Sequence, residues 1–93
     1  MVTAIVLINS SKGMVSQTAQ ALSDVEGISE VYSVAGRVDL VAMIRVKNNE
    51  DLANIVTNKL QFITGIERSE TLTAFQVFSK LDLESLFSIG GES

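Results

Sequence analysis

Val31-Tyr32-Ser33-Val34-Ala35-Gly36-Arg37-Val38-Asp39-Leu40-Val41 is the stretch that decides how this chain folds. The run it closes, residues 28–35, mixes polar and apolar positions as an edge strand does. The run it opens, residues 38–46, is apolar on both alternating faces, which suits a central strand. Gly36-Arg37 between them offers the φ > 0 position of a two-residue hairpin turn. A hairpin therefore sits in the middle of the chain, with one strand–helix unit before it and one helix–strand unit after it.

Upstream, residues 2–8 (Val-Thr-Ala-Ile-Val-Leu-Ile) are rich in β-branched side chains and apolar on both faces, so they read as a second central strand. After a break at residues 9–13, Met14, Thr18, Ala21, Leu22 and Val25 recur at helical spacing, and Gly27 closes that helix. Downstream, Asn48 is an N-cap followed by the first-turn acids Glu50 and Asp51, and Leu52, Ile55, Val56, Leu60 and Ile63 form the stripe of a second helix ended by Gly65. Residues 67–78 alternate as a fourth strand, with Thr71, Thr73, Phe75 and Val77 on one face.

The order β-α-β-β-α-β predicts an α+β, ferredoxin-like sandwich: a four-stranded antiparallel sheet in order 4-1-3-2 with both helices on one face. Two helices cover only one face, yet the central strands are apolar on both. The cover expected for the second face is another copy of the chain, sheet against sheet, which makes a homo-oligomer an expectation of the sequence. After residues 1–80, Leu83, Leu86, Phe87 and Ile89 give residues 81–93 a short amphipathic turn before a loose Gly90-Gly91-Glu92-Ser93 end.

Composition narrows the chemistry. The 93 residues leave room for one domain and contain no Cys, His, Pro or Trp. Thiolate nucleophiles, Ser-His and Cys-His catalysis, and the usual zinc, haem and iron–sulfur ligands are thereby excluded, and no cofactor is expected. The seven Lys and Arg are scattered against eleven Asp and Glu, a net charge of −4, so no direct contact with nucleic acid is expected. The longest apolar run, residues 4–8, is far short of the ~20 residues of a membrane-spanning helix. The expectation is a soluble, cytoplasmic protein with no membrane partner.

Candidate site residues need weighing one by one. Residues 9–13 lie between strand and helix, where backbone amides can hold an anion, but they lack the phosphate-loop spacing and read first as an ordinary turn. Most carboxylates fall at helix ends or in the tail. Asp39 differs, because it enters an apolar strand directly after the turn and needs a partner, found either within the fold or on a ligand's cationic group. Gly36 is explained by the hairpin alone, and in a functional reading it lets backbone N–H groups approach a ligand carboxylate. Thr71 and Thr73 are ordinary strand residues whose hydroxyls nonetheless share one face. Met14 and Met43 read as core filler.

Taken together, the Gly36-x-x-Asp39 hairpin, the Gly65-Ile66 step and the Glu70-Thr71-Leu72-Thr73 strand resemble the effector-binding (RAM) domain of the Lrp/AsnC regulators over residues 2–80. The resemblance implies a sandwich dimer with facing sheets, dimers closing into a ring such as an octamer, and small effectors, usually amino acids, bound between dimers. It implies that Gly36, Arg37 and Val38 offer backbone amides to an α-carboxylate, that Asp39 receives the α-ammonium, that Thr71 and Thr73 supply hydroxyls, and that Val34 walls the side chain. Two departures stand out. Val38 occupies a place where the family commonly has an aromatic residue, and the chain opens on the first strand of the domain without the helix-turn-helix unit of full-length members, which resembles the stand-alone forms. The expectation is a non-enzymatic amino-acid or metabolite sensor that acts on transcription by co-assembling with full-length relatives. The alternatives are a structural adaptor with a vestigial pocket and, further off, a small dimeric ferredoxin-like enzyme.

Overall fold

The computed structural model describes residues 1–78; the amphipathic turn and loose end expected at 81–93 lie outside them. Strand β1 (Val2–Ser10) is followed by helix α1 (Val15–Ser23), strands β2 (Ile28–Ser33) and β3 (Leu40–Val46), helix α2 beginning at Asn49, and strand β4 (Ile66–Thr73). The sheet is antiparallel in order β2-β3-β1-β4, which is the expected 4-1-3-2 counted from its other edge.

The alternation of β1 and β3 builds the core. Ala4, Val6 and Ile8 of β1 and Leu40, Ala42 and Ile44 of β3 are fully buried on the helix-covered face, where Leu22, Leu52, Ile55 and Leu60 pack onto them. Burial of each large aliphatic side chain there is worth about 1.5–3 kcal/mol. Their sequence neighbours Ile5, Leu7, Val41 and Met43 stand on the opposite face and are only half-buried, with Leu72 and Tyr32 beside them at 42% and 49% exposure. Among the described residues, helices close one face of the sheet and no element covers the other, although its strands are apolar there too.

Four local features depart from the sequence reading, each for a visible reason. Strand β1 runs two residues into the break expected at 9–13, because Asn9 and Ser10 pair with Arg68 and Ile66 of β4. The β2–β3 connection is the six-residue loop 34–39 rather than a two-residue turn. Asn9 Nδ2 donates to the Arg37 carbonyl at 2.9 Å and the Asp39 N–H donates to the Ile8 carbonyl at 2.9 Å, so the loop is drawn toward β1, while the Asp39 carbonyl still accepts the Val34 N–H just past the end of β2. Gly36 adopts φ +149° at the tip. The fourth strand ends at Thr73, not at residue 78. Its last ladder contact is the Ala74 N–H on the Thr3 carbonyl at 2.9 Å, after which β1 has only Val2 left to offer.

The second helix is composite. It is α-helical over Asn49–Asn54, π-helical over Ile55–Lys59 and 3-10 over Leu60–Phe62. Its core residues Ile55 and Leu60 are five apart, a spacing that an α-helix would splay by about 140° around its axis. The i→i+5 bond from the Leu60 N–H to the Ile55 carbonyl brings both back to the same side. At the start of this helix the Asn48 side chain accepts the Asp51 N–H at 2.8 Å, the expected cap.

Candidate functional site

The loop 34–39 is fastened to the end of β1 by both side chain and backbone. Ser10 N–H donates to Asp39 Oδ2 at 2.8 Å and Asp39 N–H donates to the Ile8 carbonyl at 2.9 Å, while Val34 N–H closes the loop on the Asp39 carbonyl at 3.0 Å. The carboxylate of Asp39 therefore continues the β1–β3 ladder by one bond where the strand itself has ended. Of the two partners open to Asp39, the fold supplies one through Oδ2.

Beneath this loop, on the open face, lies a hollow of about 310 Å³. Two cross-strand pairs form its floor and wall: Leu7 opposite Glu70, and Asn9 opposite Arg68. Directly opposed residues of an antiparallel pair share a face, so these four side chains converge by register alone. Arg37 and Val38 close the hollow from the loop, and Ser69 contributes at its rim. Two arginines, one glutamate, one asparagine and one leucine thus line a single small hollow. A guanidinium holds a carboxylate through paired, charge-assisted hydrogen bonds, and a carboxylate holds an ammonium. The hollow has the makings of a zwitterion site at the low end of the ~300–1,000 Å³ range of small-molecule pockets.

The sequence-derived candidates distribute unevenly around it. Arg37 and Val38 line the hollow, while Gly36 and Asp39 shape the loop above it. Val34, 38% exposed, lies at the loop's other end. Thr71 and Thr73 are opposite the fully buried Val6 and Ala4 and so belong to the helix-covered side of the sheet, half-buried and exposed respectively. Within one chain, the sheet separates the threonines from the hollow. Asn9, Arg68 and Glu70 are not among the residues that the sequence singles out. Their signal is present as polar residues at the open-face positions of β1 and β4, but only the register shows that they face one another.

Among the described residues, no group of three or more His, Cys, Asp or Glu is placed to hold a metal ion. None of the described helices is long and apolar enough to cross a membrane.

Residues 3–82 match the family described as the Lrp/AsnC ligand binding domain. In fold and sequence the chain is similar to TTHA0845 from Thermus thermophilus, 40% identical with TM-score 0.80, covering 86% of this chain and all of that one. It is similar to PHS023 from Pyrococcus horikoshii, 26% identical with TM-score 0.77 over 83% of this chain and 93% of that one. Among curated relatives, the HTH-type transcriptional regulator FL11 of Pyrococcus furiosus is 34% identical over 76 residues, which are 82% of this chain and 50% of FL11. The chain spans half or less of the length of the curated relatives it matches.

Proposed function

Since this chain belongs to the Lrp/AsnC ligand binding domain family, we propose that it is a non-catalytic sensor domain that binds a free amino acid in the hollow beneath the 34–39 loop. The observation that carries this reading is the meeting of Arg37, Arg68 and Glu70 on one hollow of about 310 Å³. The guanidiniums take the α-carboxylate, Glu70 takes the α-ammonium, and Leu7 and Val38 meet the side chain. Gly36 and Asp39 set the loop so that its backbone amides also face the carboxylate, with Asp39 Oδ1 left as a second anchor for the ammonium. Thr71 and Thr73 reach such a ligand only from a neighbouring copy, which agrees with a site shared between dimers in a ring. The second copy also covers the open face of Ile5, Leu7, Val41 and Met43, sheet against sheet, and full-length relatives of the same family are the partners through which a ligand signal reaches transcription.

A thermal-shift panel of the twenty amino acids, repeated on Arg68→Gln, tests the reading. At one hundred times its Kd a ligand adds about 2.7 kcal/mol to stability, a shift easily seen. A set of amino acids that raises the wild-type melting temperature and not that of Arg68→Gln supports it. No shift from any of them removes it.

One observation favours a second reading, an oligomerisation adaptor with a vestigial pocket. Asp39 already has a partner within the fold in the Ser10 N–H, so its presence at the strand entrance is accounted for without a ligand.

A further inference from the structure

At the far end of β3, about 20 Å from the Gly36 loop by strand length, lies a larger concavity of about 840 Å³ between the α1–β2 turn and the second helix. Val46 and Ile55 lie in its lining, and charges of both signs rim it. Asp24 and Glu26 stand on the turn, Lys47 follows β3, and Asp51 and Lys59 belong to the second helix. Arg45, a sixth charged residue of the lining, forms the one ion pair among the described residues, with Glu30 at 3.5 Å, so the other five charges surround the hollow without pairing with one another.

The π-helical turn Ile55–Lys59 has a consequence here beyond the core. In an unbroken α-helix, Asp51 and Lys59 would point about 80° apart. One extra residue in the turn rotates Lys59 back by about 100°, and both side chains line the same hollow. Eight residues of helix separate their Cα atoms by about 12 Å along the axis. A free amino acid is too short to span such a distance, whereas an extended chain of three residues covers about 10–11 Å.

We propose that this concavity is a second binding site, for a short peptide of about three residues with free ends. Its ammonium lies among Asp24, Glu26 and Asp51, its carboxylate lies between Lys47 and Lys59, and a side chain rests on Val46 and Ile55. Asp24 is the C-cap of α1, and the negative end of that helix adds to the attraction for the ammonium. The site is separate from the amino-acid hollow and does not depend on it.

The test uses tri-L-alanine, its N-acetylated and C-amidated form, and L-alanine as probes in thermal-shift and calorimetric titrations of the wild type, Lys59→Glu and Arg68→Gln. Lys59 is exposed, so its variant is expected to fold, and circular dichroism checks that it does. Tri-alanine should bind saturably, the blocked peptide should not, and Lys59→Glu should weaken binding by about tenfold or more while Arg68→Gln leaves it unchanged. The proposal is overturned if tri-alanine gives no response at about 10 mM, a concentration that detects even Kd values in the millimolar range. It is also overturned if Lys59→Glu binds as the wild type does, or if the blocked peptide or free alanine binds Arg68→Gln, whose amino-acid hollow is disabled, as well as tri-alanine does.

Discussion

Asp39 Oδ2 accepts the Ser10 N–H at 2.8 Å, so the side chain of the loop's last residue completes the hydrogen-bond ladder of β1. Removing it leaves a part-buried backbone donor without its partner, and a bond to a charged acceptor is worth about 1.5–3 kcal/mol. Asp39→Ala is expected to lose stability at the low end of that range, read by urea denaturation. Asp39→Asn keeps an oxygen acceptor and should retain most of that stability. If Asp39 also anchors a ligand ammonium, the asparagine variant will bind more weakly while staying folded. Comparing the two variants therefore separates the residue's two roles.

Thr18 and Gly65 form a second informative pair. Thr18 is completely buried and its Oγ1 has no hydrogen-bond partner, because the hydroxyl lies against the Cα of Gly65. An unsatisfied buried hydroxyl costs about 1–3 kcal/mol, so Thr18→Val should raise the melting temperature measured by calorimetry. Gly65→Ala should lower it. Its backbone sits at φ +106° and a Cβ there would collide with Thr18 Oγ1. In the double variant the valine methyl occupies the same space, so the alanine penalty should persist.

Tyr32 provides a clean spectroscopic handle, since the chain holds one tyrosine and no tryptophan. The hydrogen bond that its hydroxyl donates to Glu30 raises the phenol pKa above the ordinary value of 10.0, assisted by some desolvation and by the Glu30 charge. Ultraviolet titration should show ionisation above that value in the wild type and closer to it in Glu30→Gln. The sign for stability follows. A raised native pKa favours the neutral phenol, so this contribution is present below the unfolded-state pKa and is lost as pH rises through the native one.

Met43 stands opposite Ile5 in the centre of the open face. A charge placed there cannot be buried between two sheets without a partner, and an unpaired buried charge is strongly unfavourable. Met43→Glu is expected to give a folded protein of lower mass by light scattering than the wild type at the same concentration. A wild type that is monomeric at micromolar concentration would contradict the covered-face argument.

The periodicity of the sequence carried most of the fold. The Asn48 cap lies where the pattern places it because the Asn48–Asp51 bond is local, and β1 starts and buries Ala4, Val6 and Ile8 as its alternation requires but runs on through Asn9 and Ser10, where the polar residues predict a break. What could not be read locally was set by distant partners. The width of the 34–39 loop depends on Asn9 and Ile8 claiming its residues, about thirty positions upstream in the chain. The end of β4 is set by the beginning of β1. The π-helical turn follows from Ile55 and Leu60 having to meet one core, a demand visible in their spacing once the α-helical assumption is dropped.

The site was legible in part for the same reason. Arg37, Val38 and Asp39 cluster because they are sequence neighbours, and the turn that holds them has a local signature. Arg68 and Glu70 join them only through the β1–β4 register, which pairs residues about sixty apart. Thr71 and Thr73 share a face, as their alternation implies, but that face is the one under the helices.

The central claim is that Arg68 and Arg37 hold a carboxylate beside Glu70. It is tested most directly by calorimetric titration of the amino acid giving the largest thermal shift into the wild type, Arg68→Gln and Glu70→Gln. Loss of either charged contact should weaken binding by about tenfold or more, since charge-assisted hydrogen bonds contribute about 1.5–3 kcal/mol. Both variants should bind more weakly than the wild type, and each should remain folded. Equal affinity in all three proteins would contradict the account.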